Sequence, residues 1–339
     1  LAEQYKEEHK QNGLIFSGIF NSTSGINRLN QFIQAEPITK DINPYYGSIQ
    51  KLHARFGDLI TLCEDKILTM YANKDALYNA DGSANLTATN RVLGSVKPFP
   101  GEYGISKDPT SFVSHVNNAY FTDKARGAVL ALSGTQLINI SDQGMRDWFK
   151  DNLPASTSLI GTYNQNKGLY NLTVKSTTDY TLSYDSKVKG WPSFKSFIPE
   201  SGCSLNNKYY TFYNGEIWVH TNTTRNNFYN TQYDSSVKVL INDVSDTIKG
   251  FKTISYEGTD AKEYTYIGVI TIDGSGNDLT DQGLTDIKIP GYTMGELIEG
   301  GYSEAQIAQL SEGITRGWHV DSITTNEDTG SIREFKRKE

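Results

Sequence analysis

The stretch Tyr120–Leu132, YFTDKARGAVLAL, decides how the chain is read. An aromatic run ends at Asp123, and Gly127 opens a second apolar run. An Asp side chain can bond the backbone just ahead of it, and glycine takes a left-handed backbone at no steric cost. The stretch therefore reads as strand, turn, strand. Arg126, beside the glycine, leaves another reading open, in which Asp and Arg form a substrate-binding pair. Three later stretches bear on the choice. LIGTYNQNKGLYNLTV (159–174) turns between Asn164 and Gly168, and YTLSYDSKVKGWPSF (180–194) turns between Asp185 and Gly190. NKYYTFYNGEIWVH (207–220) turns on Asn214-Gly215, where both residues tolerate positive φ. Asp123 and Gly127 thus belong to a recurring hairpin signature, and Arg126 is expected as a solvated or interface charge beside it.

The composition agrees. Of 339 residues only 37 % are hydrophobic, while Gly (30), Tyr (21) and Phe (14) are plentiful, which suits many short strands joined by polar turns. The fold class expected is all-β. Asp65, Asp123, Asn164, Asp185 and Asn214 open successive turns at a spacing that loosely fits roughly 40 to 50 residues per propeller blade. Residues 45–235 are read as a β-propeller-like hairpin domain, with a Greek-key sandwich as the alternative. Residues 236–339 read as a smaller β-rich domain with a helical insertion near 292–313, where Ser303 and Gln306 form a capping box ahead of Ile307 and Leu310. Residues 1–44 read as an N-terminal segment continuing from upstream chain, since both ends look cut. Within the hairpin domain, 52–72 is expected as a hairpin around Glu64-Asp65-Lys66, and 73–110 as a long polar loop. A helix is expected after Ser141 or Asp142 as N-cap, with Met145, Trp148 and Phe149 on one face.

Several function classes lose support. A net charge of −7 without a basic block argues against a nucleic-acid groove. Cys63 and Cys203 lie far apart and read as two unrelated buried thiols, with a single disulfide as the alternative. No apolar run is long enough for a membrane-spanning helix. His9, His53, His115, His220 and His319 are scattered, and none lies at metal-ligand spacing. The acidic, Gly-rich run at 273–283 has Leu284 where a calcium loop needs Glu. Ser183, Asp185, Gly190 and Trp191 approximate the Asp-box hairpin of sialidase-type propellers, with too long a gap between Asp and Gly. Glycoside hydrolysis requires two facing carboxylates, and Asp123, Glu200 and Glu216 have no distinguishing context. No catalytic, cofactor-binding or metal-binding residue is assigned, and no cofactor is expected. The Tyr- and Asn-rich stretches single out Tyr213, Trp218 and Tyr229 as candidate interface residues, because Tyr and Trp join a large apolar body to a polar tip. The same residues could instead line the β core.

Longer phrases carry a resemblance. GLIFSGIFNSTSGINRLNQFIQAEPITKDINPYYGSIQKL, ILTMYANKDALYNADGSANLTATNRVLGSVKPFPGEYGISKDPTSF and GWPSFKSFIPESGCSLNNKYYTFYNGEIWVH resemble a large tail protein of crAss-like phages, which are short-tailed viruses. The resemblance runs from about residue 13 to 337 and points to the muzzle, a nozzle-like component of the distal tail. It implies a non-enzymatic virion protein, made in the cytoplasm of the host bacterium. It also implies assembly with other tail proteins as a homo-hexameric ring around the DNA exit channel. Packaged DNA would pass nearby without specific binding, and the distal position allows contact with the host surface. A receptor- or glycan-binding tail module and a polysaccharide depolymerase are the other readings carried forward.

Overall fold

In this computed structural model the described residues are 9–18, 20–21, 24–33, 35, 37–55, 57–78, 84–221, 223–241, 246–250, 253–255, 257, 265–272, 285–307, 311–312, 317–325 and 329–332. The described residues are nearly all β, in strands arranged as small antiparallel sheets. It divides into two compact units, Leu1–Lys238 and Val239–Glu339.

The first unit is a series of antiparallel meanders in chain order. The first sheet runs Ile49–Arg55, Asp58–Cys63, Ile67–Tyr78 and Ala84–Pro98, and the second Val113–His115, Asn118–Asp123, Ala128–Ser133 and Gln136–Asn139. The third comprises Ser158–Asn164, Leu169–Lys175, Tyr180–Asp185 and Gly190–Lys195. The fourth has three strands, Ser201–Leu205, Lys208–Tyr213 and Glu216–Val219. Among the described residues these sheets form an open series with no closed ring.

Strand periodicity explains how the sheets stack. Successive side chains leave a strand on opposite faces, so Ala119 and Phe121 point one way and Tyr120 the other. Phe121, Leu130 and Leu132 pack with Ile60, Leu62 and Ile67 of the first sheet. Tyr120, Val129 and Ala131 pack with Leu159, Tyr170, Leu172, Val174 and Leu182 of the third. The opposite face of the first sheet is covered by Leu14, Ile42 and Tyr46 of the N-terminal segment, which meet Cys63, Leu68 and Met70. Two glycines permit the closest approaches. A Cβ on Gly161 would sit 2.0 Å from the Ser111 carbonyl oxygen, and one on Gly104 would sit 2.0 Å from that of Glu64.

Two local expectations are corrected. Much of the polar stretch 73–110 is strand, because Ile67–Tyr78 and Ala84–Pro98 pair along their length. Hydrogen bonding along the ladder satisfies that backbone without an apolar pattern in the side chains. The helix is short, Arg146–Asn152, and begins after Met145, so neither Ser141 nor Asp142 caps it. Asn139 instead engages both of them, with its Oδ1 accepting from the Ser141 amide and its Nδ2 donating to Asp142. The apolar face is present: Phe149 is buried, and Met145 and Trp148 pack against the same cluster.

In the second unit Thr265–Ile272 pairs with Thr285–Thr293 and with Ser311–Glu312, and Val320–Thr324 pairs with Thr329–Ile332. Two short helices, Met294–Glu299 and Glu304–Ile307, bury Leu297 and Ile307. The Ser303 amide donates to Gln306 Oε1 at 2.7 Å and the Gln306 amide to Ser303 Oγ at 3.3 Å, which is a reciprocal capping box. Leu310 and the acidic run 273–283 lie outside the described residues.

Candidate functional site

Three turns share one construction. Asp123 pairs with Ala128, Asn164 with Leu169 and Asp185 with Gly190, each across a four-residue loop. Asp123 Oδ1 accepts from the Arg126 amide and Asn164 Oδ1 from the Lys167 amide, while Asp185 Oδ1 accepts one residue earlier, from Lys187. The left-handed residue closing the loop is Gly127 (φ 62°) in the first and Gly168 (φ 68°) in the second. In the third it is Lys189 (φ 54°), and Gly190 is already the first residue of the return strand. The glycine at 190 therefore does not supply the left-handed position expected of it. Asn214 (φ 52°) and Gly215 (φ 75°) both have positive φ, as a two-residue hairpin turn requires. Asn206 and Asn207 make the same kind of turn without a glycine and were not singled out from the sequence, although Asn tolerates that conformation better than most residues.

Arg126 is exposed, as a solvated or interface charge would be, and it also bridges two turns. Its Nη1 lies 3.0 Å from Asp123 Oδ2 and 3.2 Å from Asp65 Oδ1, so one guanidinium joins the turns of the first and second sheets. Burial opposes its charge, but Asp123 and then Asp65 outweigh that and hold its pKa above the usual arginine value. Asp123 is fully buried and also accepts from the Gly104 amide at 3.1 Å and from Ser106 Oγ at 3.0 Å. Four donors occupy its two oxygens, so its chemistry here is to clip loops together. Beside this clip lies a cleft of about 460 Å³ lined by Glu102, Asn139, Asp142, Arg146 and Lys150.

Tyr213, Trp218 and Tyr229, far apart in part of the sequence, come together on one face of the fourth sheet. Tyr213 and Tyr229 stack with ring centroids 4.3 Å apart and planes 6° apart, and Trp218 meets Tyr229 edge-on at 5.5 Å. Tyr229 has φ 53°, and its hydroxyl shares Thr211 Oγ1 (3.0 Å) with His220 Nε2 (2.7 Å). Burial lifts the Tyr229 phenol to about 12. Burial, followed by the nearby Lys167 charge, pulls His220 down to about 4. Among the described residues the buried Trp218 indole N–H has no partner.

A polar seam between the third and fourth sheets lies outside the hairpin signature. Thr162 Oγ1 lies 2.8 Å from the Tyr209 hydroxyl, Thr173 Oγ1 lies 2.9 Å from Thr181 Oγ1, and Ser183 Oγ donates to Asn171 Oδ1 at 2.6 Å. The signal was legible: Thr162, Asn164, Asn171, Thr173, Thr181 and Ser183 alternate with apolar residues on three neighbouring strands. Among the described residues no three metal-ligating side chains cluster, and Cys63 and Cys203 are free thiols, of which only Cys63 is buried, Cys203 being exposed on a strand of the fourth sheet. Glu200 Oε1 accepts from the Asn214 amide at 3.3 Å, which places it on the turn of the fourth sheet, while Glu216 opens the strand that follows.

No curated protein sequence matches the chain. Residues 223–297, a span that includes Tyr229 and ends within the helix Met294–Glu299, match the family model described as the Crassvirus muzzle protein C-terminal domain, and this match supports the reading of the chain as a crAss-like phage muzzle protein.

Proposed function

We propose that the protein is a structural component of a short-tailed phage virion, forming part of the distal tail around the DNA exit channel and gating genome ejection. The observation that carries this reading is the match of residues 223–297 to the muzzle C-terminal domain, within a chain whose other long phrases resemble the same tail protein. The consecutive four-stranded meanders, each laid face to face on the next, support a further reading as successive blades of a propeller. In that reading residues 45–235 form the propeller-like body, preceded by the segment 1–44 and followed by the smaller domain 236–339. Copies assemble as a homo-hexameric ring in contact with other tail proteins. A net charge of −7 suits a channel that lets DNA pass, since a basic lining would hold phosphates and release counterions. Native mass spectrometry of the purified protein is expected to give a closed ring. A monomer at all concentrations, or virions that lack the protein yet retain their DNA and infect normally, would overturn the proposal.

A second reading, a receptor- or glycan-binding tail module, is favoured by the Tyr213–Trp218–Tyr229 cluster alone. Glycan-array binding that is lost in Trp218→Ala would support it, and an array without signal would remove it.

A further inference from the structure

A small cleft opens between the third and fourth sheets, apart from the Arg126 clip and bordering the aromatic cluster through His220. It holds about 60 Å³, roughly the share of two waters and the size of one phosphate or carboxylate group. Two lysines and a neutral histidine line it: Lys167 from the turn after Asn164, Lys195 from the last strand of the third sheet, and His220 just after the fourth sheet's last strand. None of its lining residues is acidic. Neither Lys167 nor Lys195 forms an ion pair or a side-chain hydrogen bond among the described residues. Asn164 and Asn171 add amide groups. Asn164 Oδ1 is taken by the Lys167 amide, which leaves the Asn164 NH₂ as a donor, while Asn171 is engaged by Ser183 through Oδ1 and by the Tyr209 hydroxyl. Phe197 and Phe228 close the apolar side.

Grouping cations without a counter-charge is unfavourable, because each disfavours the charged form of the next. The strain is visible here: burial and then Lys167 depress the pKa of Lys195, and burial and then Lys167 depress that of His220. Donors of this kind, converging on a space that contains no acceptor of matching charge, are what an anion site requires. We infer that the cleft between Lys167, Lys195 and His220 binds a small oxyanion, a phosphate or carboxylate group, with the two ammonium groups as charge partners and the Asn164 amide as the orienting donor. The site goes beyond the structural role proposed above and does not depend on it, since it concerns only the seam between the third and fourth sheets.

Isothermal titration of the full chain with inorganic phosphate, and separately with glucuronate as a sugar-borne carboxylate, tests the site. Saturable binding is expected, weakened about tenfold by Lys195→Met and by Lys167→Ala and retained in Lys195→Arg. Lys167 is exposed on a turn, so Lys167→Ala leaves the fold intact even if Lys195→Met does not, and thermal melts confirm this. Glucuronate displacing phosphate supports a site for a carboxylate carried on a sugar. Phosphate binding that glucuronate does not displace supports a site for phosphate. Absence of saturable binding by both anions, or binding unchanged in Lys167→Ala, overturns the inference.

Discussion

The strand Leu169–Lys175 serves two seams of opposite chemistry. Tyr170, Leu172 and Val174 face the second sheet, where Tyr120 stacks on Tyr170 at 4.8 Å and Trp191 meets Phe149 at 4.7 Å. Asn171 and Thr173 face the fourth sheet, where almost every buried group is a hydroxyl or an amide bonded to another. One seam is held by area removed from water, at roughly 25 cal/mol per Å² of apolar surface. The other gains little from burial as such. Its groups lose their water and recover it only by pairing, so each is neutral when matched and costly when orphaned. A single meander repeat can therefore be fixed on one face by shape and on the other by hydrogen-bond partners.

The largest expected effect breaks the apolar seam. Tyr170 is 1 % exposed and touches Tyr120 and Trp191, so Tyr170→Ala should cost about 3–5 kcal/mol, read by chemical denaturation. A loss below about 1 kcal/mol would mean that the seam is looser than its packing indicates. Next comes the acid side of the polar seam. His220 sits near 4 when folded against an ordinary value of 6.5, so the folded state holds it neutral. That contribution is fully present above pH 6.5 and is lost as pH falls toward 4, because the unfolded chain then binds the proton first. His220 is partly exposed, so the loss should be about 2 kcal/mol after allowance for solvent screening. His220→Gln should flatten this part of the stability profile, and an unchanged slope between pH 6.5 and 4 would remove the assignment.

The polar seam also makes an asymmetric prediction that an apolar seam would not. Thr173→Val leaves Thr181 with a buried, unpaired hydroxyl and should cost about 1–2 kcal/mol, as should Thr181→Val. The double variant removes both partners and should recover most of that loss. Simple additivity of the two single effects in denaturation would show that the Thr173–Thr181 pair does not act as a unit.

The β character and the hairpins were legible because Asp, Asn and Gly punctuate aromatic and β-branched runs at turn positions, and local chemistry alone decides a turn. The strand parts of 73–110, up to Tyr78 and over Ala84–Pro98, are not legible as strand, since their polar residues carry no period and their pairing is set by backbone partners. The helix start was misread because Ser141 and Asp142 resemble caps, while Asn139 recruits both into a turn ahead of the helix. Tyr213, Trp218 and Tyr229 could be chosen as a group by residue type, but their contact depends on the positive φ of Tyr229, which sequence gives no reason to expect at a Tyr. Lys167, Lys195 and His220 meet only because two sheets stack, and no local pattern announces that.

The smallest effect sharpens the comparison among the turns. Lys189 holds φ 54° where the two sister turns use glycine, and a left-handed backbone costs an ordinary L-residue about 1 kcal/mol. Lys189→Gly should therefore stabilise by about 0.5 kcal/mol once the greater freedom of glycine in the unfolded chain is offset. Gly190→Ala should be harmless, because an added Cβ meets nothing within 4 Å and the backbone is not left-handed. Gly127→Ala should do the reverse. Its φ is 62°, and a Cβ would lie 2.8 Å from Lys150 Cα, so the residue would be strained in its backbone and would also press on the helix. A melt in which Lys189→Gly destabilises, or in which Gly127→Ala is as silent as Gly190→Ala, would show that the three turns are alike in sequence only. The expected ordering would show that the position of the left-handed residue, and not the presence of a nearby glycine, defines the repeat.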